Sequence, residues 1–138
     1  LATLSSDQNL WLLEQNDLRL MKYNFRSREV ILDIVLAPWL DDIDHDFSFI
    51  REYQNLLFLV DKGSGTHVFD NLGNYIKKIN TAEAVYLSFD GEHLYYLSAG
   101  QLVQQSLYSE KNSTIELPPT IFQGVVVFKD KVYLICER

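Results

Sequence analysis

Disulfides, membrane-spanning helices and signal peptides are all absent from this sequence. Its one cysteine, Cys136, has no partner for an internal disulfide, which leaves the redox compartment open. No apolar run approaches the ~20 residues that a membrane-spanning helix needs. No basic start followed by an apolar segment marks a signal peptide. Six glycines and three prolines are few, and the aromatic and β-branched residues are many, so the composition favours strands.

Clustered positive charge is also missing. The formal net charge is −7, the isoelectric point is about 4.8, and no run of lysine or arginine exceeds two residues. Nucleic acids are recognised through such clusters, so the electrostatic footprint of a nucleic-acid-binding protein is absent, and anionic membrane surfaces are disfavoured as partners for the same reason. The chain is 47% hydrophobic and 13% aromatic, which is enough for one domain with a real core.

Four short apolar segments share a pattern, with an aromatic residue in second place and spacings of 47, 37 and 38 residues. A polar turn and a second strand-like segment follow the first three, and then another turn and a closing strand. A further strand precedes each aromatic segment, and in the third repeat it is predicted over Val85–Phe89. Four antiparallel strands in about 40 residues are the signature of a β-propeller blade, whose inner strands are covered on both faces. The aromatic residues are Trp11, Phe58, Tyr95 and Tyr133.

The sequence therefore predicts an all-β fold of β-propeller blades, with a single partial propeller domain over residues 1–138. A β-sandwich is the alternative, but it does not require the same four-strand module three times. Propellers have about four to eight blades, so about three and a half do not close a ring. We expect the remaining blades to come from a longer chain, from another copy or from a protein partner. The predicted blades span residues 1–46, 47–84 and 85–122, with a half blade at 123–138.

The first repeat is about nine residues longer than the others because of one segment, Val35–Asp46. Pro38 and the lack of a helical period argue against a helix there. Insertions between blade strands form loops on one face, often the binding face. Trp39 in this loop is either an exposed aromatic anchor or a plug against the blade edge, and both interpretations stay open.

The insertion ends in an acidic cluster. Carboxylates are suitable ligands for Ca²⁺, but the cluster lacks the glycine and glutamate of an EF-hand loop. A solvated acidic loop is the simpler interpretation, so no cofactor is predicted and calcium is kept as an alternative. The weak metal candidates are Asp41, Asp42, Asp44 and Asp46.

Residues typical of catalysis do not form a recognisable pattern. The three histidines occupy non-equivalent repeat positions, without the spacing of a zinc site. His67 is expected on a strand with a surface tip, and Ser64 in a hairpin turn that its neighbouring glycines explain. No GxSxG motif is present, so no catalytic residue is predicted. Cys136 is expected to be a small apolar core residue.

Carboxylates end the same repeat strand twice, at Glu14 and Asp61. In propellers this position can face the central channel, where carboxylates bind metal or substrate. The third repeat has Ser98 there, which breaks the column.

The stretch LFLVDKGSGTHVFDNLGNYIKKI, residues 57–79, resembles a recurring blade of six-bladed, NHL-like β-propeller proteins of Bacteroidetes-type bacteria. NLWLLEQNDLRLMKYN, residues 9–24, resembles the blade before it. The resemblance covers most of the chain. It implies an exported, envelope-associated protein, periplasmic or at the outer membrane, from a group mostly without assigned activity. Similar propellers are accessory subunits of outer-membrane secretion machinery.

Together these observations predict a non-enzymatic binding or scaffold module that contributes blades to a propeller. A six-bladed propeller hydrolase or lactonase with a divalent metal in its channel is the alternative. A structural oligomer, in which arcs complete each other's ring, is a third. The predicted partner-binding residues are Trp39, Asp41, Asp42, Asp44 and His45.

Overall fold

The computed structural model of the chain describes residues 1–41, 44–81 and 83–136. Asp42, one of the predicted metal and partner-binding residues, lies outside the described residues. The chain divides into two compact units, Leu1–Asn80 and Thr81–Arg138. Apart from one short 3₁₀ turn, the regular structure of the described residues consists of strands. No helix among them is long and apolar enough to cross a membrane.

The first unit contains two four-stranded antiparallel sheets, each with its strands in chain order. The insertion between them begins with a 3₁₀ turn at Ala37–Trp39. The first sheet consists of β1 (Ala2–Leu4), β2 (Leu10–Glu14), β3 (Arg19–Asn24) and β4 (Glu29–Val35). The second consists of β5 (Phe47–Tyr53), β6 (Leu56–Asp61), β7 (Gly65–Asp70) and β8 (Tyr75–Ile79).

The second unit repeats this arrangement once and begins it again. One sheet has four antiparallel strands in chain order, and the other has two. The first consists of β9 (Ser88–Asp90), β10 (His93–Ser98), β11 (Gln101–Ser106) and β12 (Asn112–Glu116). The second consists of β13 (Phe122–Phe128) and β14 (Lys131–Cys136). The predicted module of four antiparallel strands is thus confirmed.

Two local predictions were wrong. The strand predicted over Val85–Phe89 begins only at Ser88, because Tyr86 instead places its hydroxyl against the backbone of β13. Cys136 was expected in the core and is exposed. It ends a two-stranded sheet in which three residues of β14 besides Cys136 are about half exposed, so strand character did not imply burial. Those residues are Val132, Tyr133 and Ile135.

The core of the first unit lies between its two sheets. Trp11, Leu20 and Phe69 are fully buried, and full burial of a large apolar side chain contributes about 1.5–3 kcal/mol. Five of the six residues of β6 are buried, so its apolar run is covered on both faces, as expected for an inner blade strand. Leu36 and Leu40 belong to the same core, which anchors the start of the insertion.

Lys22 and Gly73 tie the two sheets of this unit together. Lys22 on β3 is buried, and its Nζ lies 2.6 Å from Asp7 Oδ2 and 3.1 Å from the carbonyl oxygen of Asn71. Gly73 has a φ of +84°, and a Cβ there would lie 2.0 Å from Cδ1 of Ile34. The other repeats have Ser27 and Lys111 at this place, so the repeat itself does not require the glycine. A side chain at position 73 would have to displace the end of the Ile34 side chain on β4 and would adopt a strained φ.

We expect Gly73→Ala to lower the free energy of unfolding by about 1–3 kcal/mol, because strain at positive φ adds to a clash in the core. Gly91→Ala is the matched control: its φ is +56°, but a Cβ there meets nothing within 4 Å. The difference in unfolding free energy between the two variants, measured by urea denaturation, separates the effect of the clash from that of positive φ. Equal losses for the two substitutions would contradict this account of Gly73.

Candidate functional site

The carboxylate of Asp61, at the end of β6, is fully buried and accepts four hydrogen bonds. His45 Nδ1 lies 2.7 Å and Ser64 Oγ 2.6 Å from Oδ2. The backbone N–H groups of Asp46 and Gly63 donate to Oδ1, each over 3.0 Å. A buried carboxylate is stable only with such partners, so this group fixes its surroundings.

Asp61 stabilises the turn that follows its own strand, and Glu14 does the same in the first repeat. Through Gly63 it closes the turn between β6 and β7. Glu14, at the same register on β2, accepts hydrogen bonds from the backbone N–H groups of Asn16 and Asp17 over 3.1 and 2.6 Å. Both carboxylates therefore stabilise the hairpin turn that follows their strand. This role accounts for their position without a ligand.

The pKa of Asp61 reports this environment. Burial alone would raise it, but the hydrogen bonds from His45, Ser64 and the two backbone N–H groups outweigh that effect and lower the pKa to about 2. The folded chain therefore holds Asp61 ionised over the whole neutral range.

His45 joins the insertion to the second sheet. Its Nε2 lies 3.0 Å from the carbonyl oxygen of Asp41, while Nδ1 faces Asp61. Both neighbours are acceptors, so both contacts are hydrogen bonds only when both ring nitrogens carry protons. The ring of His45 also stacks on Phe47, with centroids 5.5 Å apart.

A chain of polar groups continues from Asp61 to Tyr75. Ser64 Oγ lies 2.9 Å from His67 Nε2, and His67 Nδ1 lies 3.4 Å from the hydroxyl of Tyr75. Because the ionised carboxylate only accepts, Ser64 donates its single proton to Asp61 and accepts from His67 Nε2. His67 Nδ1 then accepts from Tyr75. Burial lowers the pKa of His67, and burial with the charge of Asp41 raises the pKa of Tyr75.

This polarity does not suit a nucleophilic serine. A catalytic base must accept the proton of the hydroxyl that it activates, whereas His67 donates to Ser64. The geometry makes Ser64 a link in a structural network. The prediction that His67 has a surface tip was wrong, since its side chain is buried among these groups.

Trp39 lies against the sheet edge and is also partly exposed. Its ring stacks on Tyr75, with centroids 6.0 Å apart and planes 7° from parallel, and meets Phe69 edge-on at 6.4 Å. It thus packs against the sheet edge, yet 41% of the residue is exposed.

The other predicted residues of the insertion take different positions. Asp41 and Asp44 are exposed, and Asp46 forms an exposed ion pair with Lys62 over 3.0 Å. In the part of the chain that the structure describes, no three acidic, histidine or cysteine side chains are grouped as a metal would require. The structure therefore brings His45 into the buried network and leaves Asp41 and Asp44 at the surface.

Sequence reasoning did not anticipate the network of Asp61, Ser64, His67 and Tyr75. Its one visible signal was the run of polar residues at the β6–β7 turn beside an acidic insertion. That signal does not say which way the side chains point.

Comparison with solved structures places the chain among β-propellers. Virginiamycin B lyase from Staphylococcus aureus superimposes with a TM-score of 0.70 at 12% identity, covering 97% of this chain and 47% of that one. The extracellular domain of the one-component system BT4673 from B. thetaiotaomicron gives 0.69 at 15%, covering 99% of this chain and 18% of that one. BamB from Moraxella catarrhalis gives 0.53 at 16%, covering 71% and 28%.

No protein-family model and no curated protein matches the sequence. At these identities the structural likeness shows the fold alone. The predicted fold class is confirmed: the chain consists of β-propeller blades, three four-stranded and one two-stranded within the described residues, and forms part of a propeller. It spans about half the length of the virginiamycin B lyase chain that it matches.

We expect acid to weaken the fold through Asp61. A carboxyl with a depressed pKa contributes stability above its unfolded value near 3.8 and loses it as the pH falls through about 2. Asp61→Asn should therefore cost on the order of 2 kcal/mol at pH 7 and progressively less below about pH 4. Urea denaturation across this pH range measures the difference.

Asp46→Asn is the control, since its pair with Lys62 is exposed and should contribute less than about 1 kcal/mol. An Asp61→Asn variant whose unfolding free energy differs from that of the parent by the same amount at pH 7 and pH 2 would contradict the assignment.

A calcium titration tests the metal interpretation of the insertion. Because the described residues of the insertion hold no grouped ligand set, we expect a large excess of Ca²⁺ to leave the melting temperature unchanged. A bound ion would raise stability by RT ln(1 + [L]/Kd), about 2.7 kcal/mol at a hundredfold excess over Kd. A rise in Tm that Asp44→Asn abolishes would instead support an ion in the acidic loop.

Proposed function

We propose that this chain contributes blades to a propeller that works as a non-enzymatic binding platform, with the Val35–Asp46 insertion as its contact surface for a protein partner. One observation carries the proposal. Trp39 keeps 41% exposure although stacking on Tyr75 and contact with Phe69 hold its ring in place.

An aromatic residue held in this way is suited to binding. Tryptophan is enriched among the residues that dominate protein–protein binding energy. Ordering a mobile side chain at an interface costs about 0.5–1.5 kcal/mol, and a ring already fixed in the free protein avoids much of this cost. Leu36 and Leu40 are held in the core, and His45 contacts both Asp61 and the carbonyl oxygen of Asp41, so the described parts of the insertion on either side are anchored as well.

The negative charge of the insertion indicates what kind of surface its partner would present. Asp41 and Asp44 are exposed beside Trp39 in the chain, and the net charge is −7. Complementary potentials speed association and disfavour partners of like charge, so we propose a partner with a basic contact surface.

Export to the cell envelope belongs to the proposal as well. The resemblance of residues 57–79 to envelope propellers supports it, as does the structural likeness to a domain described as extracellular. The remaining blades come from a longer chain, a partner or a second copy, and the predicted blade boundaries near residues 46, 84 and 122 form part of this proposal.

An enzyme of the propeller hydrolase or lactonase kind stays the second candidate, because one structural neighbour is a lyase. This chain offers less for catalysis than for binding. Ser64 passes its proton to Asp61, and the described residues hold no metal-ligand group.

Site-specific photo-crosslinking tests the contact surface. We expect benzoylphenylalanine at position 39 to give one discrete crosslinked protein in the cells that produce the chain. With that partner purified, Trp39→Ala should weaken binding by about 30-fold or more, as at an interface hot spot.

Ile76 on β8 provides the matched control, since it is 48% exposed and lies outside the insertion. The crosslinker there should give no such product, and Ile76→Ala should leave affinity unchanged. Crosslinks of equal yield at both positions, or a Trp39→Ala affinity equal to that of the parent, would contradict the proposed surface.

A further inference from the structure

The second unit contains a cleft that the proposed function does not use. The β10–β11 turn, the segment before β9 and the connection from β12 to β13 enclose about 370 Å³. This volume lies in the range of small-molecule sites, which are about 300–1,000 Å³. Its apolar walls come from all three segments and consist of Val85, Leu97, Leu117, Ile121, Phe122 and Val125.

The repeat explains why there is space at this point. Ser98 ends β10 at the register where Asp61 ends β6, since each residue pairs with the first residue of the next strand. At the β6–β7 turn, the carboxylate, Ser64 and His45 fill the volume beside the hairpin. At the β10–β11 turn the strand end and the turn itself consist of the small residues Ser98, Ala99 and Gly100, and all three line the cleft.

The floor of the cleft is built from specific contacts. The Tyr86 hydroxyl accepts from the backbone N–H of Val125 over 2.8 Å and donates to the carbonyl oxygen of Gln123 over 3.4 Å. A Cβ on Gly124 would lie 1.8 Å from this hydroxyl, so only glycine admits the ring there. The irregular register between Phe122 and Gly124 accompanies this contact. The phenol is thereby fixed beneath the cavity.

Two residues of the rim, Glu83 and Ala99, have positive φ values of 63° and 48°, as do residues of other turns in this chain such as Gln54 and Asn55. The hydrogen bonds of the Tyr86 hydroxyl to the backbone of β13 fix one side of the cavity.

The charge of the lining defines the ligand. Glu83 is the one formally charged residue among the described residues that line the cleft, and it is exposed at the rim. No lysine, arginine or histidine lines it, so an anionic group would find no counter-charge there. Apolar walls, an aromatic floor and a single carboxylate suit a small apolar body with one positive charge.

We propose that this cleft is a binding site for a small aromatic or aliphatic amine, with the apolar body between the walls and the ammonium group at Glu83. The site is independent of the insertion that carries the proposed function, so either proposal can fail without the other.

Three indoles that share one ring and differ in charge test the proposal. The whole chain, labelled with ¹⁵N, is titrated with tryptamine, indole and indole-3-acetate, up to a few millimolar as suits a weak ligand. We expect saturable shifts of the Ala99, Gly100 and Gln123 amides, with tryptamine binding about fivefold or more tighter than indole-3-acetate. Adventitious binding would instead give shifts that do not saturate or that spread over both units.

Two substitutions, each with a matched control, separate charge from shape. Glu83→Gln should remove the preference for tryptamine and leave indole binding intact, whereas Glu110→Gln, an exposed change of equal charge in the same unit, should alter neither. Val85→Trp should fill the cleft and abolish the shifts. Val30→Trp is its control, because Val30 and Val85 are both 51% exposed.

The absence of saturable shifts with any of the three indoles would overturn the proposal. Shifts that persist in Val85→Trp would overturn the location of the site. An unchanged preference for tryptamine in Glu83→Gln would overturn the assignment of the charge.

Discussion

The buried carboxylate of Asp61 must be paired and hydrogen-bonded, and this requirement determines how the insertion is held at the surface of the first unit. A charge taken out of water must be paired and hydrogen-bonded, because an uncompensated one would cost several kcal/mol. Two partners come from the adjacent turn, and two come from the end of the insertion, 15 and 16 residues earlier. His45 also contacts the carbonyl oxygen of Asp41, so the carboxylate of Asp61 is linked through His45 to Asp41. Leu36 and Leu40 hold the start of the insertion in the core. The exposure of Trp39 is therefore a property of an anchored loop.

The repeat shows what happens when this constraint is relaxed. Glu14, one methylene longer than Asp61, satisfies its carboxylate with the backbone of its own turn at the surface, so it needs no distant partner. Ser98 carries no charge, so nothing has to be brought in to neutralise it, and the volume beside its turn remains open. The same register position thus carries three different side chains with three different surroundings. Glu14 binds its own turn, Asp61 binds the end of the insertion, and Ser98 lies beside a cleft.

The strands were predictable from the sequence because apolar segments with an aromatic residue in second place recur at nearly constant spacing. Strand pairing within a hairpin joins segments that are close in the sequence, so it could be inferred locally. The site was predictable only in part. The insertion and its Trp39, Asp41 and His45 stood out by composition, but the partner of His45 did not, since it follows from the register in which β5 pairs with β6, with Phe47 opposite Asp61. His67 was misjudged because a polar residue in a strand points to solvent or to a buried network according to what covers it. The constraint on Gly73 could not be predicted, because it arises from contact with Ile34 on another sheet, which no repeat alignment contains.

The polarity of the network also bears on the choice between binding and catalysis. Every proton from Tyr75 to Asp61 is donated toward the carboxylate, so each group has its partner and none is left to act on a substrate. A catalytic arrangement would require the opposite, with a base that keeps an open lone pair near a reactive hydroxyl. Satisfied networks of this kind rigidify a structure, and rigidity favours binding by reducing the entropy lost on association. The same reasoning applies to the cleft, whose phenol is committed to the backbone of β13 and serves as a fixed surface. In the first unit the backbone N–H of Gly63 donates to Asp61 in the β6–β7 turn, and in the second unit the Tyr86 hydroxyl accepts from the backbone N–H of Val125 on β13.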